Sequence, residues 1–365
     1  MSSPDISPED AAVVSGTVTD GPLALGPMAP RFETASARVA GVKHGVAVSS
    51  GTAALHLIVR TLRLTPGAEV LVPSFTFAAS VNAFLFEAAT PVFVDVERDT
   101  YNLDPVDVAA KITDRTGAIM AVDVFGHPAE WEALEEIGQA RGIPIIDDCC
   151  EAIGARFRDR PVGSFGIAGA FAFYPNKQIT TGEGGMVVTN DDEIARLCRS
   201  MMNQGRGEMG AWLEHERLGF NYRMDEMSAA LGVSQIGRLD TFLRKREHVA
   251  SMYTERLQGL EWVRPPVVRS HVTMSWFVYV VTLAEDLDRD EIMRRMGEKG
   301  IPTRAYFTPI HQQPYIREMF PGQRWQLPVT ESVAPRTMAL PFHNNLSEGE
   351  VDQVVSVLED AVTGG

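Results

Sequence analysis

Cysteine is scarce in this sequence. The 365 residues include three cysteines, and two of them, Cys149 and Cys150, are adjacent. So few cysteines cannot form the disulfide framework of a small secreted domain. Free thiols are typical of a reducing compartment, and we therefore expect a cytoplasmic protein.

Long hydrophobic runs and positive charge are also lacking. The longest apolar stretches, 167–174 and 277–284, have the length of strands, whereas a bilayer-spanning helix needs about 20 apolar residues. The first residues show no basic segment followed by an apolar one, as a signal peptide would. Lys and Arg number 33 against 48 Asp and Glu, a net charge of −15. We expect neither a membrane nor a nucleic acid as partner.

From Gly45 onward, short apolar runs alternate with amphipathic segments. This alternation predicts an α/β fold whose mostly parallel sheet is covered on both faces. The predicted strands are 46–48, 70–72, 91–96, 119–124, 143–146, 168–174 and 185–188, and the predicted helices are 53–64, 78–87, 105–112 and 130–141.

The C-terminal part predicts a smaller α+β domain. A long helix is expected over 224–257, with Gly232 and Gly237 as weak points. A strand at 276–283, a helix at 289–299, a strand-like segment at 302–307 and a last helix after Ser347 follow. We divide the chain into an arm (1–25) that a partner subunit could order, a large domain (26–240) and a small domain (241–365).

Three strand ends carry residues suited to a charged ligand. Segment 49–55 leads from a strand into a helix whose first N–H groups favour an anion, although the same residues also suit an ordinary helix cap. Asp148 ends a buried strand, where a carboxylate needs a positive partner, and a helix-capping or solvated aspartate is the alternative. Lys177 lies between a buried strand and a Gly-rich turn. It could form a Schiff base with an aldehyde there, and a solvated surface lysine is the alternative.

Five motifs occur in a recognisable order. They are SSGTAALHL, PSFTFAAS, PVFVDVERDTYNLDP, FAFYPNKQITTGEGGMVVTND and HERLGFNYRMDEMSAALG. Over about Ala40 to His248 the chain resembles the DegT/StrS-like sugar aminotransferases, and a weaker likeness continues through IPTRAYFTPIHQQPY. These relatives are fold type I enzymes dependent on pyridoxal 5′-phosphate. The resemblance implies a mostly parallel seven-stranded sheet in the large domain, a small C-terminal α+β domain, and a homodimer with shared active sites.

The resemblance also assigns roles to single residues. Lys177 would be the Schiff-base lysine and the general base and acid, Asp148 the partner of the pyridine nitrogen, and Phe77 the plate on the cofactor ring. Gly51, Thr52 and Ala53 would hold the phosphate, and Asn221 would reach the phosphate of the neighbouring subunit. The residues placed near the substrate, for each of which a purely structural role is the alternative, are Arg304, Tyr306, His311 and Tyr315.

Three positions depart from the family pattern. Ala172 stands where relatives commonly carry a serine that binds phosphate. Glu151, expected beside the cofactor, stands where Gln or His is frequent. Asp123 begins an Asp-Val-Phe-Gly motif that is often His-x-Phe-Gly. These departures suggest a distinct subgroup and leave the phosphate and O3′ contacts open.

The retained Lys177 points to transamination, because relatives that dehydrate keto-sugars carry His at this position. The resemblance therefore implies transfer of an amino group, with L-glutamate as donor, to a nucleotide-linked keto-sugar in polysaccharide or natural-product biosynthesis. One alternative is amination of a cyclitol ketone. Another is a regulator that binds the cofactor without turnover, which the acidic charge and the lack of a basic helix-turn-helix segment disfavour.

Overall fold

The computed structural model describes residues 3–207 and 214–364. The helices are α1 (Pro8–Asp20), α2 (Met28–Ala40), α3 (Gly51–Thr61), α4 (Ala78–Leu85), α5 (Pro105–Lys111), α6 (Trp131–Arg141), α7 (Asp192–Met202), α8 (Glu226–Ile236), α9 (Leu239–Leu257), α10 (Arg289–Glu298), α11 (Pro314–Met319), α12 (Pro328–Val333) and α13 (Glu348–Thr363). Short 3₁₀ turns lie at Val124–Gly126 and Ile310–Gln312.

The strands form three sheets. They are β1 (His44–Val48), β2 (Glu69–Pro73), β3 (Thr90–Val94), β4 (Thr116–Val122), β5 (Ile145–Asp148), β6 (Arg156–Phe157), β7 (Arg160–Pro161), β8 (Ala168–Ala172), β9 (Gly185–Thr189), β10 (Val263–Arg264), β11 (Val272–Thr273), β12 (Tyr279–Leu283), β13 (Arg304–Ala305) and β14 (Thr337–Leu340).

The largest sheet confirms the predicted α/β class. Among the described residues it has seven strands in the order β1-β9-β8-β5-β4-β2-β3. Its pairings are parallel except those of β9, which runs antiparallel to both β1 and β8. Alternate residues enter the cores on opposite faces: Val70 and Val72 belong to one cluster and Leu71 to the other. Burial on both faces explains why these strands read as continuous apolar runs.

The C-terminal part is α+β, as predicted. Its four-stranded sheet has the order β10-β12-β14-β13. Helices α10 and α13 contribute to the core on this sheet. Helix α9 serves two cores, because Leu239 and Phe242 pack with the large sheet and Val249 to Leu257 with the small one.

The prediction of one helix over 224–257 is wrong. Helix α8 ends at Ile236 and α9 begins at Leu239, with Arg238 at φ −108° and ψ 5° between them. The break follows Gly237, one of the two weak points, and the Arg238 side chain bonds the carboxylate of Asp10 and the carbonyl of Asp5. Helices α2 and α7 were not predicted, and the strand expected over 302–307 is reduced to β13.

The N-terminal arm is helical and rests on its own chain. Helix α1 begins with a capping box at Ser7 and packs on α8. Asp10 is fully buried there, and its carboxylate accepts hydrogen bonds from Ser234 Oγ at 2.6 Å and Gln235 Nε2 at 2.8 Å. Within the described part of the chain, we find no helix whose length and apolar character would let it cross a bilayer.

Candidate active site

A cavity of about 510 Å³ opens at the carboxyl ends of the parallel strands, where ligands of open α/β sheets bind. Residues from the large sheet, its helices and the C-terminal part face it together. They are Ser50, Gly51, Thr52, Thr76, Phe77, Ala79, Ser80, Val122, Asp148, Cys150, Glu151, Ala172, Tyr174, Asn176, Lys177, Glu183, Gly184, Phe277, Tyr306 and Phe307.

One wall of the cavity is the first turn of α3. Ser50 caps this helix, and its hydroxyl accepts the Ala53 N–H at 3.1 Å. The neighbouring N–H groups of Gly51 and Thr52 belong to the helix end that lacks intrahelical acceptors and carries the positive end of the dipole. A Cβ on Gly51 would lie 2.7 Å from Ala172 Cβ and 3.0 Å from Cys150 Sγ. Glycine therefore lets this helix end pack closely against Ala172 and Cys150.

Asp148 is buried and faces the cavity from the end of β5. Its carboxylate accepts a hydrogen bond from Ser80 Oγ at 2.6 Å and from the Cys150 N–H at 3.3 Å. Among the described residues, no Lys, Arg or His lies within 4.0 Å of it as an ion-pair partner. A buried carboxylate without a cationic partner can accept a cation that a bound ligand supplies. Adjacent Asp147 is absent from the cavity lining, as expected for alternating strand residues.

Lys177 lies across the cavity in a largely buried position. Its Nζ is 3.4 Å from Glu151 Oε1 and 3.8 Å from the centre of the Phe277 ring. Glu151 is anchored in turn, because its Oε2 accepts the Phe125 N–H at 2.9 Å. Burial raises the pKa of the Glu151 carboxyl, and the Lys177 ammonium opposes that rise. The two groups thus face each other as a largely buried ion pair inside the cavity.

Arg246 positions both Lys177 and Phe277, a role that the sequence reasoning missed. Its guanidinium donates to the carbonyls of Trp276 at 3.1 Å, Phe277 at 3.0 Å and Lys177 at 3.1 Å. Burial lowers its pKa to about 10. A sequence signal existed, since Arg246 falls in the buried stripe of α9 with Phe242, Val249 and Tyr253, where a cation requires partners.

The structure brings most of the predicted site residues into this one cavity. Those that line it are Gly51, Thr52, Phe77, Asp148, Glu151, Lys177 and Tyr306. Phe77 is 64% exposed, so its ring is free to cover a ligand. Burial raises the pKa of Tyr306 to about 12, which keeps its hydroxyl protonated as a hydrogen-bond donor.

Five predicted residues lie outside the lining. The Ala53 N–H is taken by Ser50. His311 Nδ1 is 2.6 Å from Ser74 Oγ and its Nε2 is 3.3 Å from Glu331, while the Tyr315 hydroxyl donates to Asn82 Oδ1 at 2.9 Å. Asn221 is exposed, next to Tyr222, whose carbonyl accepts the Ser49 N–H at 2.8 Å. Arg304, on β13, is exposed and also absent from the lining.

Comparison with known proteins decides the family. The sequence model of the DegT/DnrJ/EryC1/StrS aminotransferase family matches residues 4–359. The chain belongs to this family. Its members depend on pyridoxal 5′-phosphate, and this protein is a pyridoxal-phosphate-dependent aminotransferase.

Two curated relatives and one solved structure illustrate the similarity. A GDP-perosamine synthase of Caulobacter vibrioides is 37% identical over 91% of this chain and 89% of its own length. A UDP-N-acetyl-3-dehydro-alpha-D-glucosamine 3-aminotransferase of Acidithiobacillus ferrooxidans is 36% identical over 94% and 91%. The crystal structure of DesV from S. venezuelae is similar with a TM-score of 0.91, 35% identity, and coverage of 97% and 94%.

The residues of the cavity fit the cofactor of this aminotransferase. The glycine-lined helix end at Gly51 and Thr52 suits its phosphate, and Asp148, which lacks a cationic partner among the described residues, suits a protonated ring nitrogen. Lys177 supplies an amine inside the same cavity. Ala172 offers no hydroxyl where relatives commonly have one, so the phosphate must rely on other donors.

Proposed function

We propose that this aminotransferase transfers an amino group from L-glutamate to the ketone of a nucleotide-linked sugar. The observation that carries the proposal is the buried Lys177 amine, 3.4 Å from Glu151 in a cavity that also contains Asp148. The names of the two curated relatives support the nucleotide-linked keto-sugar as substrate. The three cysteines are unpaired, which supports a cytoplasmic location.

Three side chains of the cavity, Asp148, Lys177 and Glu151, have separate roles in the proposed reaction. When bound, pyridoxal 5′-phosphate supplies an aldehyde that condenses with amines and a ring that accepts electrons. Asp148 stabilises positive charge on the ring nitrogen. Lys177 Nζ would hold the cofactor, and its free amine would remove a proton from the donor carbon and return it as general acid. Glu151 accepts and returns the proton that Lys177 Nζ carries as an ammonium.

We also propose that two subunits share each active site. Among the described residues that line the cavity, Lys177 is the one cationic side chain. The cofactor phosphate and the diphosphate of a nucleotide sugar both bring negative charge into this cavity. A single subunit leaves much of that charge unbalanced. Exposed Asn221, which does not line its own cavity, is available to reach the phosphate held by a second copy.

The substrate is tested with purified holoenzyme, L-glutamate, and a panel of nucleotide keto-sugars and cyclitol ketones. We expect 2-oxoglutarate to form with a nucleotide keto-sugar and not with the free ketones. Turnover of cyclitol ketones alone would replace the substrate class proposed here while leaving the transamination intact. If the enzyme has bound cofactor and yet turns over none of the ketones in the panel, the proposed function is contradicted.

A further inference from the structure

Two more carboxyl groups lie directly behind Asp148. Asp123 follows strand β4 and Asp147 is the penultimate residue of β5; both are fully buried. Strands β4 and β5 are parallel neighbours, with Val122 paired to Asp148. The Asp123 N–H donates to the Asp148 carbonyl at 3.1 Å. The motif that departs from the family pattern at Asp123 therefore adjoins the residue proposed to hold the ring nitrogen.

Each of the two carboxyls has one oxygen satisfied by N–H donors. Asp123 Oδ1 accepts the Ala129 N–H at 2.8 Å and Trp131 Nε1–H at 3.0 Å. Asp147 Oδ2 accepts the Gly163 N–H at 2.7 Å. The other oxygens, Asp123 Oδ2 and Asp147 Oδ1, meet no N–H or hydroxyl donor within the described ranges. Asp147 pairs with Ala121, two residues before Asp123, so the two carboxyls lie on the same face of neighbouring strand ends. A hydrogen bond between their unsatisfied oxygens needs a proton on one of them.

The charge balance leads to the same conclusion. In the part of the chain that the structure describes, neither Asp123 nor Asp147 forms an ion pair with Lys, Arg or His. The ionisable groups nearest to them in the chain are Asp148 and the Cys149 thiol, which add negative charge if ionised. Two adjacent buried carboxyls without a cation cannot both ionise at low cost, whereas a pair with one shared proton forms a strong hydrogen bond.

We propose that Asp123 and Asp147 share one proton and act as a positioning pair for Asp148. The carboxyl–carboxyl bond and the Asp123 N–H bond to the Asp148 carbonyl together fasten the end of β4 to the end of β5. The shared proton also leaves one negative charge on the pair, so that Asp148 does not face two. The positioning role rests on the function proposed for Asp148, whereas the shared proton does not depend on it.

The pair should respond to pH. Burial raises the pKa of Asp123 to about 7 and that of Asp147 well above its usual value. A carboxyl whose folded-state pKa is raised binds more protons in the folded than in the unfolded state. Its contribution to stability is present at low pH and is lost as pH rises through the folded-state pKa. The junction that carries Asp148 should therefore loosen above about pH 7.

Infrared spectroscopy tests the shared proton directly. Holoenzyme labelled with ¹³C at aspartate carboxyls should show a protonated-carboxyl band at pH 6 that disappears as the pH is raised to 9. The Glu151 carboxyl is not labelled and does not contribute to this band. The band should be missing in both Asp123→Asn and Asp147→Asn, because an amide replaces the proton donor. It should persist in Asp95→Asn, the matched control. Asp95 is also buried, but it accepts bonds from Val96, Val329 and Thr330.

Amide hydrogen exchange tests the positioning role. We expect the protection of the Asp123 N–H, corrected for intrinsic exchange, to fall in the wild type as pH rises past 7 and to stay flat in Asp123→Asn. A wild-type band that is absent at pH 6, or one that survives in both asparagine variants, would overturn the shared proton. The expected band together with equal protection profiles would overturn the positioning role alone. If Asp123→Asn does not fold, Asp147→Asn gives the same comparison.

Discussion

Glu151 Oε1 lies 3.4 Å from Lys177 Nζ, and both side chains are about nine-tenths buried. Glu151 is fixed through its other oxygen by the Phe125 N–H at 2.9 Å. The lysine amine must lose its proton before it can act as a base, and this carboxylate is the acceptor within reach. An amide at position 151 would keep the shape of the site without accepting the proton.

We expect Glu151→Gln to remove the acidic limb of the pH–rate profile, because Gln, which is frequent at this position in relatives, does not titrate. Burial raises the pKa of Glu151, so the wild-type limb should lie above the usual range of a glutamate. Glu69→Gln is the control. Glu69 is a buried glutamate at the N-terminal end of strand β2, whereas the cavity lies at the carboxyl ends of the strands. Superimposable profiles would refute the role of Glu151.

A second prediction separates the two adjacent aspartates. Asp148→Asn should lower the amination rate by orders of magnitude, because an amide cannot stabilise a protonated ring nitrogen. Asp147→Asn should have a much smaller effect at pH 7, because Asp147 bonds Gly163 away from the cavity and the amide can replace its shared proton. Steady-state kinetics of the two variants decide the matter. A larger loss in Asp147→Asn would show that the assignment is wrong by one residue.

The features that could be predicted from the sequence are those that depend on patterns among residues close together in the chain. Apolar runs and amphipathic segments indicated the parallel sheet. The family resemblance assigned Asp148 to the ring nitrogen, and the alternation of strand side chains indicated that Asp147 faces the other way. Contacts between distant segments were beyond such reasoning. Ser80 reaches Asp148 across 68 residues, and Arg246 reaches Lys177 across 69. The break at Gly237 also depends on tertiary contacts, because Arg238 is held by the N-terminal arm.

The third prediction concerns the first turn of α3 at Gly51, which is proposed to bind the cofactor phosphate. In Gly51→Ala the new Cβ would lie 2.7 Å from Ala172 Cβ, so the helix end must shift and cofactor affinity should fall. Ala172→Ser should instead tighten binding, because one added hydrogen bond contributes about 0.5–1.5 kcal/mol, or roughly two- to tenfold in Kd.

Fluorescence titration of the cofactor-free protein measures both effects. Gly16→Ala is the control for a glycine substitution, since nothing lies within 4 Å of a Cβ at that helical position. Weaker binding in Ala172→Ser would show that another group already fills the space beside Gly51. Unchanged binding in Gly51→Ala would remove the phosphate from this helix end.

The last prediction is that subunits with complementary defects restore activity when mixed. Lys177→Ala homodimers should be inactive because they lack the reacting amine. Asn221→Ala homodimers should bind the cofactor weakly, because Asn221 is proposed to reach the phosphate of the partner. In a heterodimer of the two variants, one site would carry both defects and the other would be intact. By C₂ symmetry each heterodimer should therefore have about half the wild-type activity.

Subunit exchange followed by an activity assay measures this gain, and differently tagged chains verify that heterodimers form. Lys43→Ala mixed with Asn221→Ala serves as the control, because Lys43 is an exposed lysine that pairs with Asp192 and does not line the cavity. If Asn221 instead serves its own chain's site, each site of the Lys177→Ala and Asn221→Ala heterodimer carries one defect. Activity would then remain at the level of the separate homodimers despite verified exchange, and the shared site would be excluded.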